Sequence, residues 1–360
     1  MIKDYDGRFP LSSWLKDFFR ENKQMGSRDR KTVSELVYGY FRLGHNQYNS
    51  IEERILAALY SSNHLEELTE YFRSTHTSPE EFSTDRIFPW KDYLSEGIDA
   101  DAFAASFLVQ PDLYIRIRPG REKDVASKLD ASGIQYLKCS DACIALPNST
   151  KIDALLKLNE EVVIQDKSSQ QTVRLLDNIP LRKVWDCCAA SGGKSIMVHD
   201  LDNNVDLTVS DIRESIISNL KNRLKEAGIK NYNAFVADLT SPNNTLPDQQ
   251  YDLIIADIPC TGSGTWSRTP EQLSFFKTEK IAHYTKLQRQ IIRTAMTKLN
   301  AGGNLLYITC SVFKQENEEM VNIILSDEKI RLVRKELIKG YSEKADTMFA
   351  ALFTNAQASE

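Results

Sequence analysis

KVWDCCAASGGKS, residues Lys183–Ser195, sets an apolar run ending at Asp186 against a turn of small residues, Ala189, Ala190, Gly192 and Gly193, that leads into a helix. A buried strand, a tight turn and a helix in that order form the opening unit of an alternating α/β sheet. Small side chains let the backbone approach a ligand closely, and the first turn of the helix offers that ligand unpaired amides. Four further apolar runs follow, DLTVSD, YNAFVAD, YDLIIAD and GNLLYITC, each closed by a polar or reactive residue. Five parallel strands are predicted. The last two runs, IRLVRKEL and MFAALFTN, have no helix between them and predict an antiparallel hairpin closing one sheet edge.

Working outward towards the N-terminus, the pattern changes twice. Between Leu113 and Asp166 the order is strand (LYIRIR), helix (EKDVASKLDASG), two strands (IQYLKCS and ACIALP), helix (KIDALLKLNEE) and strand (VVIQD). That is the split βαβ order of many small RNA-binding domains. The aromatics usual on an RNA-recognition sheet are absent from IRIRPG, so base stacking is not supported, while Arg116, Arg118, Arg121 and Lys123 could still hold phosphates. From Leu11 to about Asp101 apolar residues recur at helical spacing, as in Trp14, Leu15, Phe18, Phe19 and Val33, Leu36, Val37, Tyr40. Within it, SRDRKTVSELVYGYFRLG (Ser27–Gly44) has a Ser or Asp cap, a closing glycine and the basic cluster Arg28, Arg30, Lys31 and Arg42, either a solvated face or an RNA contact. The expected division is 1–108 helical, 109–167 small α+β, and 168–360 Rossmann-like.

With 360 residues, 41% hydrophobic and 26% charged, the chain suits two or three packed domains. A net charge of −5 argues against coating nucleic acid by bulk charge, so RNA binding would be local. No apolar stretch approaches the roughly 20 residues of a membrane span, and MIKDYDGRFP lacks the apolar run of a secretory signal. A cytoplasmic monomer with no membrane partner is the expectation. Six cysteines, with Cys187 and Cys188 adjacent, do not form a disulfide framework, and Cys139 and Cys143 lack a second zinc-like pair, so reduced thiols and no metal are expected.

Ligands of open α/β sheets bind beyond the carboxyl ends of the strands. Here those ends carry the loop Cys188–Lys194, Asp211 suited to ribose hydroxyls, Asp238 suited to an adenine amino group, and Asp257. A P-loop fails because Cys188 stands where the first glycine is required, and no G-x-G-x-x-G follows the first strand. DIPCTGSGTWSRTP (Asp257–Pro270) and YITCSVFKQENEEMV (Tyr307–Val321) each put a cysteine just past a buried strand. One such thiol is usually core packing; two beside a nucleoside site point to nucleophilic chemistry. Thiolate attack at carbon 6 of cytosine makes carbon 5 enamine-like and able to accept a methyl group, a carboxyl near ring nitrogen 3 steadies the charge, and a base later removes the carbon 5 proton. Spacing alone leaves open which thiol attacks.

These segments resemble the RsmB/Sun-type RNA cytosine-5 methyltransferase family, whose motifs run approximately DxCAAPGGKT, DxPCSGxGTxxRxP and TCSxxxxENE. QDKSSQQTV (Gln165–Val173) and DTMFAALF (Asp346–Phe353) are similar to its opening segment and closing strand, and Ser27–Gly44 is similar to the NusB-like helical domain of the RsmB branch. The likeness is strong from Val163 to Phe353 and weak before it. It implies a class I S-adenosylmethionine methyltransferase fold preceded by small ferredoxin/RRM-like and shortened NusB-like domains, acting on ribosomal RNA of the small subunit. It further implies a cofactor site of Cys188, Ala189, Ala190, Ser191, Gly192, Gly193, Lys194, Asp211, Asp238 and Asp257, with Asp257 also approaching the target base. The family's nucleophile falls on Cys310, while Cys260 serves product release. Ser191 replaces the family's proline, Ser195 and Thr261 keep a hydroxyl, and Thr347 and Met348 replace glycine and phenylalanine. Lys194 and Arg268 each fit a solvent-facing residue or one near the base. Glu316–Glu318 is expected to begin a helix and brace the Cys310 loop. Alternative readings are a transfer-RNA cytosine-5 methyltransferase and a catalytically silent ribosome-assembly factor.

Overall fold

The computed structural model describes residues 2–61, 66–75, 82–242 and 245–356. Residues 62–65 and 76–81, within the stretch expected to be helical, lie outside the described residues, as do 243–244 and 357–360 of the expected C-terminal domain. The chain forms two compact units, Met1–Pro111 with Gly264–Thr278, and Asp112–Ser263 with Glu279–Glu360. The expected boundary at 108/109 therefore lies three residues before the division. No division falls at 167/168, because the small sheet packs into the second unit.

The first unit is helical, with Leu11–Glu21, Ser27–Arg42, Ile51–Ser61, Glu66–Thr75 and Ala100–Ser106 as its longer helices. Tyr5, Leu11, Leu15, Val37 and Phe41 share one buried cluster with Phe275 against it. Trp266 and Phe276, from the same inserted segment, pack with Phe88 and Trp90. Glu271 is buried and accepts the Leu11 amide at 3.0 Å, satisfying a helix N-terminus that Pro10 cannot cap with a side chain. Asp29, not Ser27, serves the start of the next helix by accepting the Gly26 amide.

In the second unit β1 (Leu113–Ile117), β2 (Leu137–Lys138), β3 (Cys143–Leu146) and β4 (Val162–Ile164) form an antiparallel sheet in the order β2-β3-β1-β4. One helix, Glu122–Ser132, covers it through Val125 and Leu129. KIDALLKLNEE is not the expected second helix but a single 3-10 turn, Ile152–Ala154. Ile152 and Leu156 still bury, but Asn159 turns left-handed (φ 64°) and the Glu161 side chain takes the Lys157 amide, which redirects the chain into β4.

The larger sheet contains β5 (Lys183–Asp186), β6 (Asp206–Asp211), β7 (Tyr232–Val236), β8 (Tyr251–Asp257), β9 (Leu299–Thr309), β10 (Ile330–Lys339) and β11 (Thr347–Asn355), ordered β10-β11-β9-β8-β5-β6-β7. The first five are parallel, and β10 and β11 close the edge antiparallel, as expected. Neighbouring residues enter opposite cores: Val184, Leu253, Ile255 and Ile308 one face, Trp185, Ile254, Ala256 and Tyr307 the other. Burial on both faces is why these strands are continuous apolar runs rather than alternating ones. The chain runs from β5 outward through β6 and β7, then returns to β8 on the other side of β5, so the strand order reverses at β5. No helix among the described residues is long and apolar enough to cross a membrane.

Candidate active site

At the tip of β5 the chain leaves the sheet through a strained turn. Ala190 (φ 45°) and Gly192 (φ 83°) are both left-handed, and Gly192 caps the helix Gly193–Leu201. Glycine takes that conformation without cost, whereas a Cβ at Gly192 would also stand 3.2 Å from the Leu220 side chain. At Gly193 nothing lies within 4 Å of where a Cβ would be, so the backbone there faces open space. The turn is tied to β6, since Ala189 donates its amide to the Ser210 carbonyl at 2.9 Å and Ala190 donates to Asp211 Oδ2 at 3.2 Å. Asp211 Oδ1 also accepts from the Arg213 amide and Nε. Cys188 is half-buried, and the Ser191 carbonyl is exposed to Arg223, which donates to it at 2.6 Å. Beneath the turn Asp186 is fully buried: Ser195 donates its hydroxyl to Oδ2 at 2.6 Å, while Oδ1 has no partner. Burial, with the charges of Asp257 and Asp211, pushes this carboxyl up to about 7. At the end of β7, Asp238 Oδ1 accepts the Thr240 amide and hydroxyl.

β8 and β9 deliver the thiols. Asp257 pairs in register with Ile308, so Cys260 and Cys310 leave the sheet side by side, and their sulfurs stand 3.4 Å apart. All six cysteines are free thiols. Glu316, wholly buried, fastens both loops: its carboxylate accepts the amide and hydroxyl of Thr261, the hydroxyl of Ser311 and Gln288 Nε2. Asn317 adds a second tie, accepting from the Thr309 hydroxyl and donating to the Ser311 carbonyl. The hydrogen bond with Cys310, then burial and the charges of Cys310 and Glu316, push the Cys260 thiol well up. Burial likewise raises Glu316. Lys194, on the first turn after β5, reaches across to Asp257 Oδ2 and to Ser169 Oγ, both at 2.8 Å.

The structure thus gathers Asp257, Lys194, Cys260 and Cys310 at adjacent strand ends, with the β5 turn and Asp211 next along the sheet. Several expectations need correction. Lys194 is not solvent-facing; its side chain is 8% exposed. Arg116 and Arg118 are not surface phosphate ligands, because both are ion-paired to Asp200, at 2.6 and 2.7 Å. Arg42 is buried and spends its guanidinium on the carbonyls of Phe107, Val109 and Ser267, leaving the basic cluster without it. Arg268 lies in the segment that packs within the helical unit. Glu316 and Asn317 precede the helix Glu318–Ile324 and brace the thiol loops by side-chain bonds rather than as first-turn acids. Asn159 and Arg223 carry no sequence signal, and Ser169 lies within QDKSSQQTV without being singled out there: each acts on a group far along the chain.

The family model described as 16S rRNA methyltransferase RsmB/F matches residues 173–354, half of the chain. A Bacillus subtilis protein named probable ribosomal RNA small subunit methyltransferase B is 29% identical over 246 residues, 65% of this chain and 55% of its own length. The Yersinia enterocolitica ribosomal RNA small subunit methyltransferase B is 33% identical over 164 residues, 46% of this chain and 38% of its length. The chain therefore spans about half or less of the curated relatives it matches. Among solved structures, a methyltransferase homolog protein from Pyrococcus horikoshii is alike in fold, with a TM-score of 0.63 at 20% identity, covering 80% of this chain and 98% of that one. Carrying that family match across half its length, the chain belongs to the 16S rRNA methyltransferase RsmB/F family.

Proposed function

We propose that this protein is an S-adenosylmethionine-dependent RNA methyltransferase that forms 5-methylcytosine in small-subunit ribosomal RNA through a covalent bond to Cys310. The observation that carries the reading is the pair of thiols in contact beside Asp257. The same reading takes the helical unit as a shortened NusB-like RNA-binding domain and the four-stranded sheet as ferredoxin/RRM-like, in a cytoplasmic monomer. Among the cations around β1, Lys123 is exposed and available to a phosphate.

The β5 turn fits the cofactor. Asp186 keeps one buried carboxylate oxygen without a partner, the backbone at Gly193 is open, and Asp211 holds its carboxylate at the turn. Cys188–Lys194, Asp211 and Asp238 would hold S-adenosylmethionine, which supplies an electrophilic methyl group when bound. The rest is the work of this chain. Cys310 bonds to carbon 6 of the cytosine and pushes electron density onto carbon 5. Asp257, held by Lys194, sits by ring nitrogen 3 and passes to it the proton that the Cys310 thiol gives up, neutralising the negative charge that attack puts there. Cys260 cannot readily ionise while Cys310 faces it, because that hydrogen bond is the main cause of its raised pKa. Once Cys310 is bonded to carbon as a neutral thioether, this cause is gone. Cys260 then ionises more easily, losing its proton to solvent; as thiolate it accepts the carbon 5 proton, and the electron pair left behind re-forms the carbon 5–carbon 6 double bond and expels Cys310 as thiolate. The two thiols thus act in sequence.

Single substitutions separate these roles. Cys310→Ala is expected to abolish methyl transfer and leave no adduct. Cys260→Ala is expected to accumulate a protein–RNA species stable to denaturing electrophoresis and absent from the double variant. Trapping by Cys310→Ala instead would exchange the roles, and full activity in both single variants would return the thiols to core packing. Bisulfite sequencing of cellular RNA with and without the protein identifies the substrate: loss of protection at a transfer-RNA cytosine, with ribosomal RNA unchanged, would overturn the ribosomal assignment.

A further inference from the structure

Ser191 stands between two left-handed residues, Ala190 and Gly192, at the outer edge of the β5 turn. Serine leaves both of its backbone torsions free, where proline would fix one. Something else must hold the turn. Its carbonyl accepts from Arg223 Nη1 at 2.6 Å, on the helix Glu214–Glu226. The remaining edge of the guanidinium is taken by one atom: Nε and Nη2 both donate to Asn159 Oδ1, at 3.0 and 2.9 Å. A planar fork held at two points has one orientation left for its third.

Asn159 lies in the turn just before β4 of the small sheet and is itself immobilised. It is 7% exposed, and its side-chain nitrogen donates to Glu226 at 2.7 Å, one helical turn beyond Arg223. Its amide donates to the Val162 carbonyl, and its own carbonyl accepts from Arg118 Nη1 at 2.9 Å. Every polar group of Asn159 is thus engaged, at a φ of 64° that asparagine tolerates better than most residues. An unbroken line of hydrogen bonds runs from the loop preceding β4 through Asn159 and Arg223 to the Ser191 carbonyl. The other side of the turn is pinned by Asp211.

We propose that Asn159 and Arg223 are positioning residues for the cofactor loop, through which the small sheet sets how tightly the β5 turn grips S-adenosylmethionine. This rests on the reading of that turn as the cofactor seat. Neither residue touches the thiols or Asp257. The Ser191–Gly192 peptide has a second tie, the Gly192 amide donating to the Ala189 carbonyl at 2.8 Å, so loss of either residue leaves that peptide held from one side only.

The test is the affinity of the full-length protein for S-adenosylhomocysteine, by calorimetry. Asn159→Gly removes the side chain while suiting the left-handed backbone and keeping the carbonyl that Arg118 uses; Arg223→Ala removes the other half of the clamp. Each is expected to weaken binding about tenfold, the loss of one well-formed hydrogen bond. The double variant should bind no worse than the weaker single one, because the two act as a unit. In turnover the KM for S-adenosylmethionine should rise with kcat at saturating cofactor retained. Unchanged affinity in Asn159→Gly, or kcat falling in step with affinity, overturns the clamp. If the unsubstituted protein fails to bind S-adenosylhomocysteine, it is the cofactor seat that falls, and the clamp with it.

Discussion

Asp200 and Asp257 each hold buried cations, and the two networks are built to opposite ends. Asp200, 6% exposed, takes Arg116 on one oxygen and Arg118 on the other, and Arg118 also donates to the carbonyls of Asn159 and Ala227. Both carboxylate oxygens are taken, Arg116 Nη2 being the one buried donor of the pair without a partner, and the network fastens the small sheet to the helix Gly193–Leu201. Asp257 takes Lys194 on one oxygen only, shares that lysine with Ser169, and stays 32% exposed. Charge brought to the tip of a parallel strand and left partly open is positioned for something that arrives; charge saturated from both sides is not. Exposure and count of partners distinguish the two, although the residue types are the same.

The comparison breaks if the two aspartates respond alike. Asp257→Asn keeps the shape and removes the charge, and is expected to lower kcat about 10²–10⁴-fold, the usual weight of a group that handles charge or protons in the transition state. Asp200→Ala leaves two buried guanidinium groups without their counter-charge and should cost about 3–5 kcal/mol of stability in urea. Its kcat, measured where the protein is folded, should stay within a few fold of the unsubstituted protein's. A large stability loss from Asp257→Asn with little loss of kcat would make Asp257 a second structural aspartate.

Much of this was readable in the chain. The five parallel strands announce themselves because both sheet faces are covered, so the inner strands are largely apolar; the closing hairpin follows from the lack of a helical pattern between its two runs. The thiol pair follows once Asp257 and Cys310 are placed at neighbouring strand ends. KIDALLKLNEE misleads because Ile152 and Leu156 have helical spacing, and only the left-handed Asn159 shows that the chain turns. Arg118, one residue past the end of β1, lies two from Arg116, but their shared partner is 84 residues away from Arg116 and nothing local signals it. Trp266, Phe275 and Phe276 fall inside the stretch expected to be Rossmann-like, 168–360, yet their core is the helical unit, and nothing local marks the segment as an insertion from elsewhere.

Asp211 sharpens the contrast in the cofactor direction. It is buried, yet its partners are the Ala190 amide and Arg213, both at the rim of the turn. Asp211→Ala should weaken S-adenosylhomocysteine binding by the loss of charge-assisted hydrogen bonds, each worth about 1.5–3 kcal/mol. Equal affinity in a folded variant would move the cofactor away from β6.

Asp186 tests the open network at its most buried point. Its carboxyl is raised to about 7 chiefly by burial, against about 3.9 for the unfolded chain. Between those values the folded protein binds a proton that the unfolded chain does not, so stability falls as pH rises. The loss is steepest between the two pKa values and fades through the folded one: from pH 6 to pH 8 the Asp186 contribution drops by about 1.4 kcal/mol, one factor of ten in the folding constant. Asp186→Asn removes the titrating group while leaving an oxygen for the Ser195 hydroxyl. Its urea midpoint should therefore decline less than that of the unsubstituted protein between pH 6 and 8, and the two should converge towards lower pH, where Asp186 is already neutral. Parallel profiles would mean that Asp186 is ionised throughout this range, with its unpartnered oxygen served by solvent, and the cost of burying charge beneath the β5 turn would have to be sought elsewhere.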